Sequence, residues 1–339
     1  MPDGIDVEKV SAWLEDQIEG ATAPFTFSLI AGGRSNLTFR VTDGHGRNLV
    51  LRRPPMGAVL ATAHDMAREY RIISAVGNTS VPVPLALGLC TDEEINGAPF
   101  YVMDYVEGVV LGDPGSGEDQ FDATSGRRSM DHMIEVIADL HTVNVDTIGL
   151  GDFAKREDYL GRQLKRWRGQ WEKSKQRELP SMESSYDLLI DMKPPQRYTG
   201  IVHGDYRLGN VLLAPEGRVA AVLDWELCTL GDTLADIGYL LNNWPEATAG
   251  SPTLSVVLEG CPSKEEFLAT YTERTGREVY NIEYYQAFQL WRLASICEGV
   301  YARFRKKVMG DQKVDLTAFE AQVTYLADAS LQLARRVAG

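Results

Sequence analysis

The sequence predicts an α+β fold with two lobes: a small lobe on a mixed, mostly antiparallel sheet, and a larger, mostly helical lobe. Segments rich in β-branched and apolar residues are concentrated in the first third of the chain, whereas helical spacing dominates the rest. A strand at 100–103 runs into a polar connector at 104–108, so we place the lobes at residues 1–105 and 106–339. A chain of 339 residues is long enough to bury a large core.

The small lobe is predicted to start with a helix and a pair of strands. Residues 6–18 place apolar side chains on one helical face, and Asp6 is a suitable N-cap. The segment 25–41 is apolar and β-branched, is interrupted by Gly32-Gly33, and is followed by a second strand at 48–52. A strand, a glycine turn and a second strand can cover a phosphate chain with backbone N–H groups.

Glu69 is an unusual residue in the next predicted helix, 64–76. It falls in the middle of the apolar stripe of that helix, where a carboxylate is unfavourable unless a cation meets it. Arg52 and Arg53 end the preceding strand and point to opposite faces by alternation. We predict that Arg52 forms an ion pair with Glu69; a partly exposed glutamate on a tilted helix is the alternative.

The large lobe is predicted to be helical around a few short strands. The helical patterns lie at 129–141, 157–177, 181–191 and from 233 onward, and the short strands at 201–202, 211–213 and 219–223. A Pro-Glu-Gly turn at 215–217 joins the last two strands, and no internal repeat is found.

The most informative residues of the chain surround these short strands. Asp205 could orient an attacking hydroxyl and accept its proton. Asn210, five residues later on the same loop, and Asp224, after the next hairpin, offer one neutral and one charged oxygen to a metal ion. This H-x-D-x4-N…D spacing is the arrangement that metal-assisted phosphoryl transfer requires.

Polar residues near this motif have less specific interpretations. His203 could be a base, but a histidine before such an aspartate more often bonds backbone carbonyls. Glu226 either reaches the metal or substrate or forms a structural hydrogen bond. Asp232 is expected to cap the helix from 233, and Asp236 to brace the loop that carries Asp205.

Composition and charge exclude several classes of protein. The formal net charge of −14 disfavours nucleic acid as the main partner. No run of 18 apolar residues is present and the N-terminus has no apolar signal region, so neither a membrane span nor secretion is expected. The four cysteines show no metal or disulfide spacing, and a cytoplasmic location is the default expectation. The oligomeric state is left open.

Taken in order, these features resemble the aminoglycoside phosphotransferase and choline kinase group of small-molecule kinases, which share the protein-kinase-like two-lobe fold. The resemblance covers about residues 25 to 305. The segments 51–55, 68–70, 81–84 and 100–103 are most similar to the kinase-like domain fused to some acyl-CoA dehydrogenase family members and to its stand-alone bacterial relatives. The resemblance implies that ATP and Mg²⁺ are the cofactors and that a small hydroxylated molecule is the substrate.

The resemblance also implies roles for individual residues. Asp205 resembles the catalytic aspartate, Asn210 and Asp224 the metal ligands, and Arg207 a basic residue near the γ-phosphate. Three groups of residues resemble the cofactor-binding features of the family. These features are a loop that covers the phosphates, an ion pair that positions them, and a hinge whose backbone reads adenine. The residues are Gly33, Ser35 and Asn36 in the loop, Arg52 and Glu69 in the pair, and Met103, Asp104 and Val106 in the hinge.

The chain departs from this pattern in several ways, among them Trp225-Glu226 after Asp224 in place of Phe-Gly and the absence of a following Ala-Pro-Glu. Arg52 replaces the usual strand lysine; its forked guanidinium can still bind phosphates, but its fit is different. The predicted loop has only two glycines. Only seven residues separate Asp224 from Asp232, which leaves no room for a long activation loop and favours a small-molecule kinase over a protein kinase.

The charge pattern bears on the substrate. Residues 155–177 contain nine Lys or Arg and only three acids. Beside the cleft, such a segment suits an anionic substrate, such as a hydroxyacyl-CoA or hydroxy acid, better than a polycationic aminoglycoside; a solvated, salt-bridged helix face is the alternative. Two other functions stay open: a true antibiotic kinase, and a pseudokinase-like module that binds nucleotide or CoA without transfer. A dehydrogenase is set aside because no G-x-G-x-x-G follows a strand.

Overall fold

A computed structural model describes residues 3–31, 36–56, 65–113, 115–244, 256, 258–306 and 315–339 of the chain. In its N-terminal part, five antiparallel strands form a sheet in the order β1-β2-β3-β5-β4. The strands are β1 (Thr26–Ala31), β2 (Leu37–Thr42), β3 (Asn48–Arg53), β4 (Ala86–Cys90) and β5 (Phe100–Asp104). The helices of this part are α1 (Val7–Gln17), α2 (Met66–Val76) and α3 (Glu93–Asn96).

The two faces of the sheet pack against different neighbours. Leu49 and Leu51 of β3 belong to a buried apolar cluster that also contains Leu14 of α1. Val50 alternates to the other face and joins the large core of the molecule, together with Ile73 of α2. The period of two along β3 therefore directs Arg52 toward α2, as the sequence predicted.

The C-terminal part is mostly helical. Its helices are α4 (Ala123–Thr142), α5 (Tyr159–Ser174), α6 (Pro180–Asp191), α7 (Leu234–Asn242), α8 (Lys264–Thr275), α9 (Ile282–Arg305) and α10 (Leu316–Ala338). Helix α9 is central, because it packs against α5, α6, α7 and α10. Two short antiparallel ribbons accompany the helices: β6 (Gly200–Val202) with β9 (Thr229–Gly231), and β7 (Val211–Ala214) with β8 (Arg218–Val222).

The predicted α+β class, with an antiparallel sheet followed by a helical portion, is confirmed; the boundary at residue 105 stays a prediction. Two strands were missed, β4 and β9. Strand β4 lacks a clear alternation of apolar and polar residues, and its Gly88 lies so close to α1 that a Cβ atom there would meet Ile18 at 2.8 Å and Trp13 at 3.0 Å. Strand β9 has only three residues and is fixed by its pairing with β6.

Helix boundaries also differ from the prediction. Helix α4 begins at Ala123 rather than 129, because Asp122 and Ser125 form a reciprocal capping box that starts the helix earlier. Helix α2 begins at Met66, where the Asp65 side chain accepts the Arg68 N–H. Helix α5 is shorter at both ends than the predicted 157–177. Over the ranges that the structure describes, no helix is long and apolar enough to cross a membrane.

Candidate active site

A buried carboxylate holds the loop that follows β6 through hydrogen bonds to its backbone. Asp236 of α7 is fully buried and accepts the backbone N–H of His203 at 2.7 Å and of Gly204 at 2.8 Å. Its Oδ2 also lies 3.2 Å from Nε2 of His141. Burial raises the pKa of Asp236, but the hydrogen bond and the charge of His141 lower it by more. The resulting pKa of Asp236 lies below its usual value. Asp236 therefore braces this loop, as the sequence indicated.

His203 has a structural position. Its Nδ1 accepts the Asp205 N–H at 3.2 Å, so Nε2 carries the proton and donates to the Leu223 carbonyl oxygen at 2.9 Å. Both ring nitrogens are used within the protein backbone, which leaves neither for a substrate proton. The histidine thus connects the Asp205 loop to the end of β8.

The carboxylate of Asp205 is held by neighbours on two sides. Asn210 donates from Nδ2 to Oδ2 of Asp205 at 2.7 Å and to its carbonyl oxygen at 2.8 Å. The Tyr239 hydroxyl of α7 donates to Oδ1, and Nε of Arg207 lies 3.7 Å from the same oxygen. Burial, and then the charge of Asp205, raise the pKa of Tyr239 well above its usual value, so the phenol stays a donor.

Asp224 lies beside Asn210. The Leu223 N–H donates to the Asn210 carbonyl oxygen at 2.8 Å, which joins the two segments directly before Asp224. Asp224 itself has φ 62° and ψ 67°, a left-handed conformation that is rare for a residue with a Cβ. This left-handed conformation follows the end of β8. The Asp224 side chain therefore does not continue the alternation of the strand residues before it.

Arg52 connects the sheet to this loop through two nitrogens. Its Nε forms an ion pair with Oε2 of Glu69 at 2.9 Å, and its Nη2 contacts Oδ1 of Asp224 at 2.6 Å. Glu69 is only 2% exposed and also accepts hydrogen bonds from Asn36 at 2.9 Å and from Tyr101 at 3.0 Å. The structure therefore places the predicted Arg52–Glu69 pair together.

The charges of this cluster are strongly perturbed. Burial lowers the pKa of Arg52, but the carboxylates around it, Glu69 first, raise it more, so the guanidinium stays charged. Burial raises the pKa of Glu69, while the charge of Arg52 opposes this rise. Glu226, whose Oε2 lies 3.9 Å from Nη2 of Arg52, adds a third carboxylate around one cation. A further positive charge would be stabilised here.

A cavity of about 480 Å³ lies between the sheet and this cluster. Arg52 and the predicted hinge residues Met103, Asp104 and Val106 line it, and so do Asn210 and Asp224. Apolar side chains form the walls, among them Val50, Ile73, Leu212 and Val222. The Asp104 N–H donates to the Leu85 carbonyl oxygen at 2.9 Å, so this N–H is already used within the protein. Gly33 and Ser35 lie outside the described residues.

A second cavity, of about 400 Å³, lies beside Asp205. Asp205, Arg207, Tyr239 and Arg292 line it, and Gly209 lines both cavities. A Cβ atom on Gly209 would overlap the Arg207 guanidinium and lie 3.2 Å from the Cα of Gly112, so the glycine leaves room for the Arg207 side chain. The carboxylate of Asp205 thus faces one cavity while its partner Asn210 faces the other.

Sequence reasoning missed two residues at this site. Tyr239 reaches Asp205 from 34 positions away, and Arg292 donates from Nη1 to the Gly204 carbonyl oxygen at 2.9 Å from 88 positions away. The phenol and the guanidinium interrupt otherwise apolar helix stripes. A polar residue in an apolar stripe is visible in the sequence, but the sequence does not show that Asp205 and Gly204 are the groups that these side chains contact.

The basic segment 155–177 does not lie where an anionic substrate would meet it. None of its residues lines the cavity at Asp205. Arg168 pairs with Glu183, and Nη1 of Arg177 lies 3.1 Å from Oε2 of the fully buried Glu298. Two more of its cations are paired, Arg156 with Asp146 and Lys175 with Glu172. The alternative of a salt-bridged helix face is the better description.

Comparisons with known proteins agree with this geometry. Residues 26–278 match the model of the phosphotransferase enzyme family named for the aminoglycoside phosphotransferases. The chain belongs to this family. The predicted resemblance is thereby confirmed, and the family and its kinase-like neighbours support a small-molecule kinase.

Three related proteins illustrate the family. Mouse acyl-CoA dehydrogenase family member 10 is 36% identical over 293 residues, which are 84% of this chain and 27% of the mouse protein. A candidate aminoglycoside phosphotransferase from Ralstonia eutropha is 34% identical, with a TM-score of 0.82 over 98% of each chain. An ADP-bound aminoglycoside phosphotransferase, 16% identical with a TM-score of 0.55 over 97% of this chain and 99% of that one, shares the fold. The chain spans roughly a quarter to two fifths of the curated relatives that it matches.

The oxygen atoms of Asn210 and Asp224 at the cavity of about 480 Å³ fit a magnesium ion. Asn210 uses its Nδ2 to bond Asp205, which directs the amide oxygen elsewhere, and Asp224 supplies a carboxylate. Mg²⁺ prefers oxygen ligands and commonly binds through one or two protein side chains together with phosphates. Among the described residues, no group of three or more His, Cys, Asp and Glu could hold a metal ion without such help.

Proposed function

We propose that this protein transfers the γ-phosphoryl group of ATP, with Mg²⁺, to a hydroxyl group of a small molecule. The observation that carries the proposal is that Asp205 lines one cavity while Asn210, which donates a hydrogen bond to it, lines another. One cavity is lined by Arg52, Asn210 and Asp224, and the other contains room for an acceptor next to Asp205. In an in-line transfer the acceptor oxygen and the leaving oxygen lie on opposite sides of the transferred phosphorus, and the base that receives the acceptor proton lies on the acceptor side.

Each residue has a role in this scheme. Asp205 accepts the proton of the acceptor hydroxyl, in an orientation fixed by Asn210 and Tyr239. Arg52, itself held by Glu69, binds phosphate oxygens of the nucleotide. Asn210 and Asp224 would hold Mg²⁺, which neutralises charge on the phosphates when bound. Arg207 extends from the same loop into the cavity that Asp205 lines.

The acceptor is proposed to be a hydroxy acid or a hydroxyacyl-CoA rather than an aminoglycoside. The cavity beside Asp205, called the acceptor-side cavity below, has several apolar side chains in its walls, among them Met130, Leu227, Leu240, Trp244, Leu293 and Ile296. Its only carboxylates among the described residues are Asp205 and Glu226, and both already have partners. A polycation needs carboxylates that are free to pair with it, whereas an acyl body gains from apolar walls.

One observation favours a second candidate, a module that binds nucleotide without transferring phosphate. Arg52 contacts Asp224 at 2.6 Å, so a proposed metal ligand is occupied by a protein cation. If this pair persists when nucleotide binds, Asp224 cannot hold Mg²⁺ effectively, and turnover would be lost.

Label transfer from γ-labelled ATP separates the two candidates. The acceptors are pooled hydroxy acids, hydroxyacyl-CoAs, choline-like amines and aminoglycosides, each tested with Mg²⁺. We expect a labelled product whose rate falls by about 10²–10⁴-fold in Asp205→Asn, because the general base is lost. Asp187→Asn, an exposed carboxylate on α6, is the matched control and should keep full activity.

Nucleotide binding is measured in parallel by calorimetry on the same proteins. Retained binding with no transfer to any pool would favour the binding module. Undiminished transfer by Asp205→Asn would contradict the role given to Asp205.

A further inference from the structure

Arg292 of α9 is a buried cation without a carboxylate partner. It is 4% exposed, and no acid in the described part of the chain forms an ion pair with it. Its Nη1 donates to the Gly204 carbonyl oxygen at 2.9 Å and to Oε1 of Gln289 at 2.8 Å. Both acceptors are neutral, so the positive charge is not compensated by them. A buried charge in this state is unfavourable until an anion meets it.

The remaining nitrogens of Arg292 are not used by the described residues. Nε is enclosed and has no hydrogen-bond partner. Nη2 forms no hydrogen bond among these residues either, yet it is not one of the fully enclosed polar atoms. Because Arg292 lines the acceptor-side cavity, Nη2 is the part of the guanidinium that is free to donate into it.

Two other cations, Arg166 and Arg207, lie near Arg292. Its guanidinium carbon lies 5.5 Å from the ring centre of Trp167, and that of Arg166 lies 5.1 Å from the same ring. Desolvation, and then the charge of Arg292, lower the pKa of Arg166. Within the cavity, Arg207 adds another cation, and the acids Asp205 and Glu226 are held by other groups.

We propose that Arg292 is the anion-binding residue of the acceptor-side cavity and that the acceptor carries a carboxylate near the hydroxyl that is phosphorylated. This inference rests on the proposed function, since it assigns the substrate class of the same site. It favours a free hydroxy acid over its thioester, because a thioester has no charge at that position. Arg292 is then a specificity-determining residue, and its contact with Gly204 places the guanidinium next to the residue that precedes Asp205.

The test compares binding of matched acceptors that differ only in charge. Four-, six- and eight-carbon hydroxycarboxylates and the corresponding diols are titrated by ligand-observed NMR, with Mg²⁺ and a non-hydrolysable ATP analogue present. We expect wild-type protein to bind the carboxylates about tenfold or more tightly than the diols. In Arg292→Gln this preference should fall to about threefold or less, whereas diol binding should be unchanged.

Two further variants separate recognition of the anion from support of the loop. Arg292→Lys keeps the charge and should restore part of the carboxylate preference. Arg166→Gln removes a cation that contacts the same tryptophan but does not line the cavity, and it should keep the preference. Circular dichroism and thermal melts establish that each variant is folded.

The outcomes distinguish this inference from the proposed function. A wild-type protein that binds carboxylates no better than diols overturns the inference, and so does a preference that survives in Arg292→Gln. Equal weakening of both ligand classes in Arg292→Gln would show a structural role only. The assay needs no turnover, so a carboxylate preference without phosphoryl transfer would support the anion site and count against the kinase.

Discussion

Replacement of Arg52 by methionine tests the Arg52–Glu69 ion pair, which lies at the cavity lined by Asn210 and Asp224. Arg52→Met keeps the length of the side chain but leaves Glu69, which is 2% exposed, without its cation. At the observed 2.9 Å, the attraction is about 6 kcal/mol for an effective dielectric constant of about 20, before desolvation is subtracted. Removal of one partner from a buried pair typically costs about 3–5 kcal/mol. Because Asn36 and Tyr101 still donate to Glu69, we expect a loss of about 3 kcal/mol in the free energy of unfolding.

The loss should depend on pH in a defined direction. Burial raises the pKa of Glu69 already in the presence of Arg52, and removal of that cation removes the main influence that lowers it. A carboxyl group whose folded pKa exceeds its unfolded value of about 4.3 binds protons more tightly in the folded state. Folding of Arg52→Met should therefore weaken as pH rises from the unfolded pKa through the folded pKa, and recover toward pH 5.

Urea denaturation at a series of pH values between about 5 and 8 measures this effect. The double variant Arg52→Met/Glu69→Gln should regain much of the stability and lose the pH dependence, since no charge stays buried. Arg53→Met is the matched control. Arg53 lies on the same strand, but among the described residues its guanidinium donates to the carbonyl oxygens of Gly4, Pro54 and Asn96 and to no acid, so its loss exposes no buried carboxylate there. A pH-independent Arg52→Met, within about 1 kcal/mol of wild type, would refute the reasoning.

Two further predictions concern single contacts. Tyr239→Phe removes the hydroxyl that holds Oδ1 of Asp205, so we expect kcat to fall about tenfold with little change in KM; an unchanged kcat would show that Asn210 alone orients the carboxylate. Gly231→Ala places a methyl group into the ring of Tyr159 and should lower the free energy of unfolding by about 1–3 kcal/mol in urea. Gly169→Ala, inside α5 with nothing within 4 Å of the added Cβ, should instead raise it by about 0.5–1 kcal/mol; equal effects of the two would contradict the packing argument.

The parts of the site that the sequence predicted are those that local rules determine. Asp205 and Asn210 share one loop, and Asp224 follows one hairpin later, so their proximity depends on a short length of chain. Arg52 was distinguished from Arg53 by strand alternation, and the structure directs Arg52 to Glu69. In these cases the period of the element and the length of the turn suffice.

The parts that were missed depend on packing between distant segments. Tyr239 and Arg292 lie on helices whose relative positions come from the contact between α7 and α9, which no local pattern specifies. Helix α4 shows the opposite case, since its early start is a local signal, the Asp122 capping box, that the prediction overlooked. Strand β9 exists only because β6 pairs with it.

The charge of the substrate is a question that composition could not answer. By its content of lysine and arginine, the segment 155–177 is the candidate for binding an anionic substrate. However, Arg177 is paired with Glu298 and Arg168 with Glu183, so these cations are already compensated. Arg292 contributes one charge to a chain of net charge −14, but it is buried, has no acid partner among the described residues and lines the cavity next to Asp205. Since electrostatic interactions strengthen as water is excluded, one uncompensated cation inside a cavity affects substrate choice more than many paired ones outside it.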